Sequence, residues 1–422
     1  MTGVQTCALP IYQKSYKIGV NAAIFRNAPQ SDPDNRIPIP FIRRGIKLVK
    51  GYFAKVGNIT YADKSGWFEE NLADIYDKNN EEIQTAAVFE DSITYGAAFE
   101  LHWFDAEKGF QFHTLPIDQC IPIYDDSIKR ELKEFIWYRK GEDTVDRATW
   151  YDETNYIDFE KSKDKWVKVK EGIHLYDRVP VLEANTDRDK KNFFDHVLPL
   201  TDMIDKIASM VGNEHEKFEE SILLLRDYID GVTKDENGLT EVDKVNKWRV
   251  LDKLGENVRD AAAYLERNVN DTFISNTLDR FERLMYEMLC IFNPNDESFA
   301  TSSGIAQLYK LLGMELTVAD MESYFGQFLQ ARIKLISNHK SGRVATPENA
   351  DYVTINYRRN LPSDIAAISQ IATILLGGKQ VLSHESVLKL FPSTVVDDIE
   401  AELLKVKAEA PTVSNPLFGA EM

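Results

Sequence analysis

The residues of this chain best suited to chemistry are imidazoles and carboxylates at short spacing, and the first group is NEHEKFEE, Asn213 to Glu220. A zinc helix of the HExxH kind needs a second histidine four residues after His215, on the same helix face, and Glu219 stands there instead. His215 therefore reads as a seam position of a packed helix. DENG, Asp235 to Gly238, matches part of a calcium loop, but the carboxylate that should close the loop six residues past the glycine is replaced by Lys244. It reads as a hairpin turn. GGKQ, Gly377 to Gln380, lacks the upstream glycine of a phosphate loop and reads as a helix break. The pairs Asp125-Asp126 and Asp397-Asp398 could approach a magnesium ion, yet neighbours on a strand point to opposite faces and isolated acidic pairs are common on solvated surfaces. No catalytic residue, metal site or cofactor is expected.

Composition narrows the function classes further. At 422 residues the chain is long enough for more than one lobe. A net charge of −18 argues against a protein that grips nucleic acid by neutralising its phosphates. It is compatible with a protein that DNA slides past, because an acidic wall repels the polymer and permits motion. Of Cys7, Cys120 and Cys290 the first lies in the N-terminal stretch read below as a scar; the two that remain form no CxxC pair and are expected to be plain buried thiols in a reducing compartment. No 18 consecutive apolar residues occur, so no helix is expected to span a bilayer. At the start, MTGVQTCALPIYQKS has no basic residue before Lys14 and too short an apolar run for a secretory signal. Back-translated, Met1 to Ile11 resembles a common sequencing-library adapter; it is expected to be a scar, with native sequence beginning near Tyr12 and the true N-terminus missing.

Residues from about 36 to 195 read as mixed α/β. In NRIPIPFIRRGIKLVKGYF, Pro38 and Pro40 favour an extended entry, after which Ile46, Val49 and Phe53 recur at helical spacing. A strand-rich block follows in EEIQTAAVFEDSITYGAAFELHWFDAEKGFQFHTLPIDQCIPIYDD, where Ala97 to Phe104 and Gly109 to Leu115 flank a short acidic turn and predict a hairpin. EFIWYRK, TWYDETNYIDFE and KWVKVKEG add strands to an antiparallel, aromatic-rich lobe. From Val197 the period becomes helical: Val197, Leu200, Ile204, Ile207, Val211, His215, Phe218, Ile222 and Leu225 lie three or four apart. The pattern predicts a helix of about 29 residues, roughly 44 Å long, which must pack along something equally long.

After a polar, glycine-containing excursion a second stripe returns through Ile274, Leu278, Phe281, Met285, Met288 and Phe292, so the two helices read as an antiparallel pair capped by a small module. Pro294 stops the second helix, and FNPNDESFATSSG has turn chemistry. A third helix starts beyond Ser302 or Ser303 and runs through SGIAQLYKLLGMELTVADMESYFGQFLQARIKLISNHK. YVTINYRRNLP alternates like a strand, and the following residues read as short amphipathic helices broken at Gly377-Gly378 and Pro392, with a frayed tail from Pro411.

This order of lobe, long helix, small module, long helix, polar loop, third helix, returning strand and helical cap resembles the tailed-bacteriophage portal, or connector, protein. The branch it resembles is that of siphoviruses infecting Gram-positive hosts. The stretches that carry the resemblance are NRIPIPFIRRGIKLVKGYF; YGAAFELHWFD with LPIDQCIPIYDD; VPVLEANTDRDKKNFFDHVLPLTDMIDKIASMVGNEHEKFEE; ESFATSSGIAQLYKLLGMEL; and INYRRNLPSDIAAISQ with LSHESVLKLFP.

The resemblance implies an α+β portal fold in a dodecameric ring around a central channel. By position, residues 12–195 would form the wing, 196–226 the first stem helix, 227–267 the clip and 268–292 the second stem helix. Residues 293–303 would be the tunnel loop, 304–360 the tunnel helix and returning wing strand, 361–408 a short helical crown, and 409–422 a flexible tail. Val197, Leu200, Ile204, Ile207, Val211, Phe218 and Ile222 would pack the stem against Ile274, Leu278, Phe281, Met285 and Met288. Asn293, Asn295, Asp296, Glu297, Ser298, Phe299, Thr301 and Ser302 would face DNA without any basic residue to hold its phosphates, Phe299 either touching the duplex or tucked under its own loop. Lys234, Asp235, Glu236, Asn237, Lys244, Lys247 and Trp248 would dock the packaging motor.

The implied partners are further copies of the chain, the terminase large subunit, major capsid and scaffolding proteins, head-completion proteins, and double-stranded DNA passing without sequence specificity, with no membrane. The implied location is the capsid vertex of a virion assembled in the bacterial cytoplasm. No nucleotide-binding loop is present, so the ATPase would be a separate motor. A cytoplasmic helical scaffold that dimerises through the Val197 seam, and a metal-dependent nuclease or phosphatase, are the rival readings. Phe273, Leu284 and Leu289 lie off the main stripe of the second helix and favour a ring over a pair.

Overall fold

The computed structural model describes residues 8–25, 34–141, 145–163, 165–218, 223–225, 238, 262–264, 271–293, 295, 304–359, 387–388 and 402–406. The described residues form a mixed α+β structure. Helix α1, Ala8–Ile18, continues through the expected scar boundary, and α2, Phe41–Phe53, follows the extended Pro38/Pro40 segment. α2 buries Ile42, Ile46, Val49, Tyr52 and Phe53, the stripe expected of its 3.6-residue period. Strand β1, Ile59–Ala62, leads to the short helices α3, Trp67–Asn71, and α4, Ala73–Lys78, and to α5, Glu81–Tyr95. The first part of the expected strand-rich block is thus the helix α5. It ends at Gly96, whose φ of +82° suits glycine, and an added Cβ there would sit 2.0 Å from the Lys190 carbonyl oxygen.

The predicted hairpin is present as β2, Ala98–Asp105, and β3, Gly109–Leu115, with β9, Val181–Ala184, on the other side of β2. Between β3 and β9 the chain builds a five-stranded antiparallel meander: β4, Cys120–Tyr124; β5, Leu132–Lys140; β6, Asp146–Tyr151; β7, Asn155–Ser162; and β8, Lys165–Ile173. The stretch TWYDETNYIDFE contributes two of these strands, turned by Asp152, whose Oδ1 accepts from the Thr154 and Asn155 amides.

Two further helices follow, α6, Leu198–Phe218, and α7, Asp271–Met288. Helix α6 is 21 residues long, shorter than its hydrophobic pattern predicts. Leu223–Leu225 is instead strand β10, antiparallel to β11, Ala262–Tyr264. Three consecutive leucines fit a short strand as well as a helix, and periodicity alone does not separate the two. Helix α8, Gly304–Ser337, starts where Ser302 or Ser303 predicts and spans 34 residues, about 51 Å at the standard rise. The returning strand is β12, Thr354–Tyr357, which pairs antiparallel with β1. Most of residues 361–408, expected as short helices, lie outside the described residues, as do Gly377 to Gln380 and Asp397-Asp398.

One large core joins α1, α2, α5, α6, α7 and α8 from Leu311 to Leu335, with Phe53, Phe89 and Phe325 in mutual ring contact. Further along α8 lies Arg332, fully buried. Its Nε and Nη2 donate to the two oxygens of Glu100 on β2 at 2.8 and 2.7 Å, and its Nη1 donates to Glu81 and Thr85 of α5, each at 2.6 Å. Tyr61 of β1 donates to Glu81 at 2.6 Å. Burial works against the charge of Glu100, but the guanidinium beside it prevails and holds its carboxyl at about 2. Phe112 and Phe328 flank the guanidinium at 5.0 and 4.8 Å.

Arg332→Met leaves two buried carboxylates without their cation and is expected to lower unfolding stability by about 3–5 kcal/mol, measured by urea denaturation followed through tryptophan fluorescence. Because the Glu100 pKa is depressed in the fold, its contribution is present above the ordinary carboxylate range and is lost as pH falls toward about 2. The wild-type advantage over the variant should therefore shrink in strong acid.

Candidate assembly surface

Helices α6 and α7 lie against each other along the stripe predicted for them. Val197, Ile204 and Met285 are buried, and Leu200, Leu278 and Phe281 pack partly buried against the same core. Thr201 on α6, fully buried, donates to the Val197 carbonyl and to the Met285 sulfur. Farther along, Ala208 and Val211 face Ile274, Ser275 and Leu278 across an open apolar cleft of about 370 Å³. The structure thus brings Val197, Leu200, Ile204, Val211, Ile274, Leu278, Phe281 and Met285 into one seam, with Ile207 half-buried beside it. Met288 does not join them: it is exposed at the end of α7. His215 is exposed too and is not a seam residue, since the core contacts end before the last turns of α6. Nothing can be placed around Ile222, which lies outside the described residues.

The outer surfaces of these helices are unusually apolar. Met210 is 63% exposed, Phe273 67%, and Leu316 on α8 64%, with Met203 and Leu312 also exposed. These side chains lie outside the stripe that each helix buries within the chain.

Helix α6 is held to the body by a second device. Asp205, Ser209 and Asn213 stand four residues apart, so they share one helix face. Each accepts a backbone N–H from the extended segment 34–40: Ile39 to Asp205 at 2.8 Å, Ile37 to Ser209 at 3.0 Å, and Asn35 to Asn213 at 2.6 Å. Four helical residues rise about 6 Å and two extended residues about 6.6 Å, which is why the two spacings stay in step. The intervening positions of the strap, where N–H groups point away from the helix, include Pro38 and Pro40, which have none. Asn21 also donates to Asp205, and Tyr16 of α1 donates to Asp202 at 2.5 Å. Burial raises the Asp205 pKa. At Gly212 a Cβ would meet the tip of Ile37 at 2.9 Å, so the strap lies close on the helix.

The far end of α7 closes in a Schellman turn: Cys290, with φ +52°, donates to the Glu287 carbonyl, and Ile291 donates to that of Tyr286. This ends the helix at Met288, four residues before the expected limit, and leaves Cys290 exposed. The thiol was expected to be buried; the reversal of the chain at its left-handed position turns it outward. Cys120 is half-buried, and burial pushes its thiol pKa up. Beyond the turn Leu289 and Ile291 are buried against Gly45 of α2. Asn293 caps the next turn by accepting the Asn295 amide at 2.9 Å, and Arg44 of α2 donates to Asn295 at 3.1 Å. Of the residues predicted to line a channel, only Asn293 and Asn295 are described; Asp296, Glu297, Ser298, Phe299, Thr301 and Ser302 lie outside. A cation the sequence reading missed, Arg44, therefore stands at the base of an otherwise acidic loop.

The predicted docking residues Lys234, Asp235, Glu236, Asn237, Lys244, Lys247 and Trp248 also lie outside the described residues. Among those described, no three His, Cys, Asp or Glu side chains are placed to hold a metal ion, and no helix is long and apolar enough to cross a membrane. Asp125 accepts the Ser127 hydroxyl and the Glu131 amide, which makes the Asp125-Asp126 pair part of a turn.

The sequence model of the family described as phage portal protein, SPP1 Gp6-like, matches residues 10–414. A portal protein of Clostridium phage phiCD119 (strain Clostridium difficile/United States/Govind/2006) is 22% identical over 349 residues, covering 76% of this chain and 74% of its own.

The strap yields a direct expectation. Ser209→Ala with Asn213→Ala removes two acceptors and should speed amide exchange at Asn35 and Ile37 by roughly fivefold each, since each lost bond costs about 1 kcal/mol. Exchange at Ile39, still held by Asp205, should change less, as read by hydrogen–deuterium exchange.

Proposed function

The chain belongs to the SPP1 Gp6-like family of phage portal proteins, and on that premise we propose that it is the ring subunit through which double-stranded DNA enters and leaves the capsid. The family role is structural and non-enzymatic, at the portal vertex of the virion. Portal proteins of this family assemble as oligomeric rings with capsid and terminase.

The observation that carries the finer reading is the apolar exposure of the paired helices. Met203 and Met210 on α6, Phe273 and Met288 on α7, and Leu312 and Leu316 on α8 face outward although each helix already buries a stripe within the chain. A copy on each side would cover them, and heterologous contacts of this kind close into a ring when the rotation is right. In this reading residues 12–195 with β12 form the wing, 196–226 and 268–292 the stem, 227–267 the clip and 361–408 the crown of a dodecamer.

The loop after α7 would line the channel through Asn293, Asn295, Asp296, Glu297, Ser298, Phe299, Thr301 and Ser302, its acidic character favouring passage over retention. The clip residues Lys234, Asp235, Glu236, Asn237, Lys244, Lys247 and Trp248 would meet the terminase large subunit and later the head-completion proteins. Scaffolding and major capsid proteins would surround the wing.

Light scattering and negative-stain imaging of the purified chain should show rings with a central hole and a mass several times 48.3 kDa. Met210→Glu with Phe273→Glu places charge on the outward faces and should release folded monomers with unchanged far-ultraviolet circular dichroism. A wild-type protein that stays a compact monomer or dimer at all concentrations would sink the ring.

A further inference from the structure

Three of the seven histidines converge on one tyrosine where β2 and the β8–β9 loop meet the end of α8. His102 of β2, His174 just after β8, and His339 just after α8 lie with ring centroids 6.4, 5.9 and 4.6 Å from that of Tyr176, which is buried. His339 is also packed against Phe104 and Phe110. The backbone joins the two sides at the same place. The carbonyls of His174 and Leu175 accept from the His339 ring at 3.2 Å and the Lys340 amide at 2.9 Å, and Asn338 donates to Asp177 at 3.3 Å. Leu175, a branched side chain at φ +63°, holds a conformation that persists only where its surroundings over-determine it.

The hydrogen bonds fix the protonation state of two of these rings. His174 Nε2 donates to the Asp152 carbonyl at 3.0 Å, so its Nδ1 is the acceptor for the Tyr176 amide at 3.2 Å. His339 Nε2 donates to the His174 carbonyl, so its Nδ1 is the acceptor for the Ser341 hydroxyl at 2.8 Å and the Ser341 amide at 3.4 Å. A proton on either Nδ1 would set donor against backbone donor. The third ring, His102, lies with Nε2 2.9 Å from Glu100, a carboxylate already committed to Arg332.

We propose that His102, His174 and His339 form an acid-sensitive latch, which at neutral pH clasps the loop between β8 and β9 to the end of α8 and which opens locally when the imidazoles take up protons.

The charges facing the cluster support that direction. Glu100 of β2 favours protonation of His102, while Arg332 of α8 and Arg178 of the β8–β9 loop oppose it. Asp152 of the β6–β7 turn favours it at His174 and Lys340 opposes it. His174 and Arg343, the latter stacked on Phe104 at 4.6 Å, oppose it at His339, and Asp177 is engaged with Asn338. Burial comes first in every case and keeps all three imidazoles below their ordinary pKa. For a group whose folded pKa is depressed in this way the open state binds the extra proton. The clasp is then complete above about pH 6.5 and weakens as pH falls below it, by up to ~tenfold per pH unit for each histidine.

The test is hydrogen–deuterium exchange of the full chain between pH 7 and pH 5, corrected for the intrinsic rate. Wild type should lose protection at peptides covering 174–177 and 338–343 by more than ~tenfold, while the interior of α8 around Arg332 stays protected. The double variant His174→Gln, His339→Gln cannot take up these protons and should lose most of the pH response. His174→Gln alone, at the half-buried rim of the cluster, should reduce its slope if the double variant does not fold. An unchanged wild-type response, an equal response in both variants, or simultaneous loss of protection around Arg332 would each overturn the latch.

Discussion

The bond set around Arg332 is the constraint on which the rest of the body depends. One guanidinium on α8 satisfies a carboxylate on β2 and another on α5, and β1 reaches the second carboxylate through Tyr61. A buried ion group of this kind is a weak source of net stability, because desolvation offsets much of the Coulomb gain. Its stronger effect is on register. The fork of Arg332 meets Glu100 with two parallel bonds, and sliding α8 by one residue rotates it about 100° away from both acids. Each element that surrounds the network is therefore held at one axial position, and the apolar clusters on either side can fill with ordinary interdigitated side chains.

Much of this architecture was legible in the sequence, and what was not has two causes, an interrupted helical stripe and pairing between distant residues. The β2–β3 hairpin, the seam from Val197 to Val211 and the start of α8 all depend on local periodicity or turn chemistry, and they stand where the residues predict. Helix α5 was hidden because its inward face mixes Thr85 and Ser92 with Ala86, Phe89 and Ile93, so the helical stripe is interrupted by polar side chains. The pairing of Leu223–Leu225 with Ala262–Tyr264 is a contact across many residues, and three leucines carry no period to betray it. The Arg332 network and the histidine cluster were invisible for the same reason: their partners lie far apart in the chain, and no spacing relates them.

The strap on α6 shows the intermediate case. Pro38 and Pro40 announced an extended segment, and Asp205, Ser209 and Asn213 occupy successive turns of a predicted helix. Neither pattern names the other. Their match is visible only when the two-residue repeat of extended backbone is laid beside the four-residue repeat of a helix face. The prolines then acquire a second meaning. They extend the chain, and they also remove the amide groups that would face away from the helix without partners.

Helix α8 ties these pieces to the proposed function. At one end it follows the loop whose base is held by Arg44 and Asn295; near the other it carries Arg332 and is followed by His339 and Lys340, which bond to the carbonyls of His174 and Leu175. The helix is about 51 Å long, and from Leu311 to Ile336 it buries a continuous apolar face. A close-packed face of this kind resists gradual deformation. A shift of the helix against β2 and α5 would have to break the bonds of Arg332 to Glu100 and Glu81. Cys290, just after α7, and Leu175, opposite the residues that follow α8, are two of the described non-glycine residues with positive φ. The Arg332 fork fixes the end of the helix next to His339, while Leu311, Met314 and Val318 pack the half nearer the proposed channel into the large core.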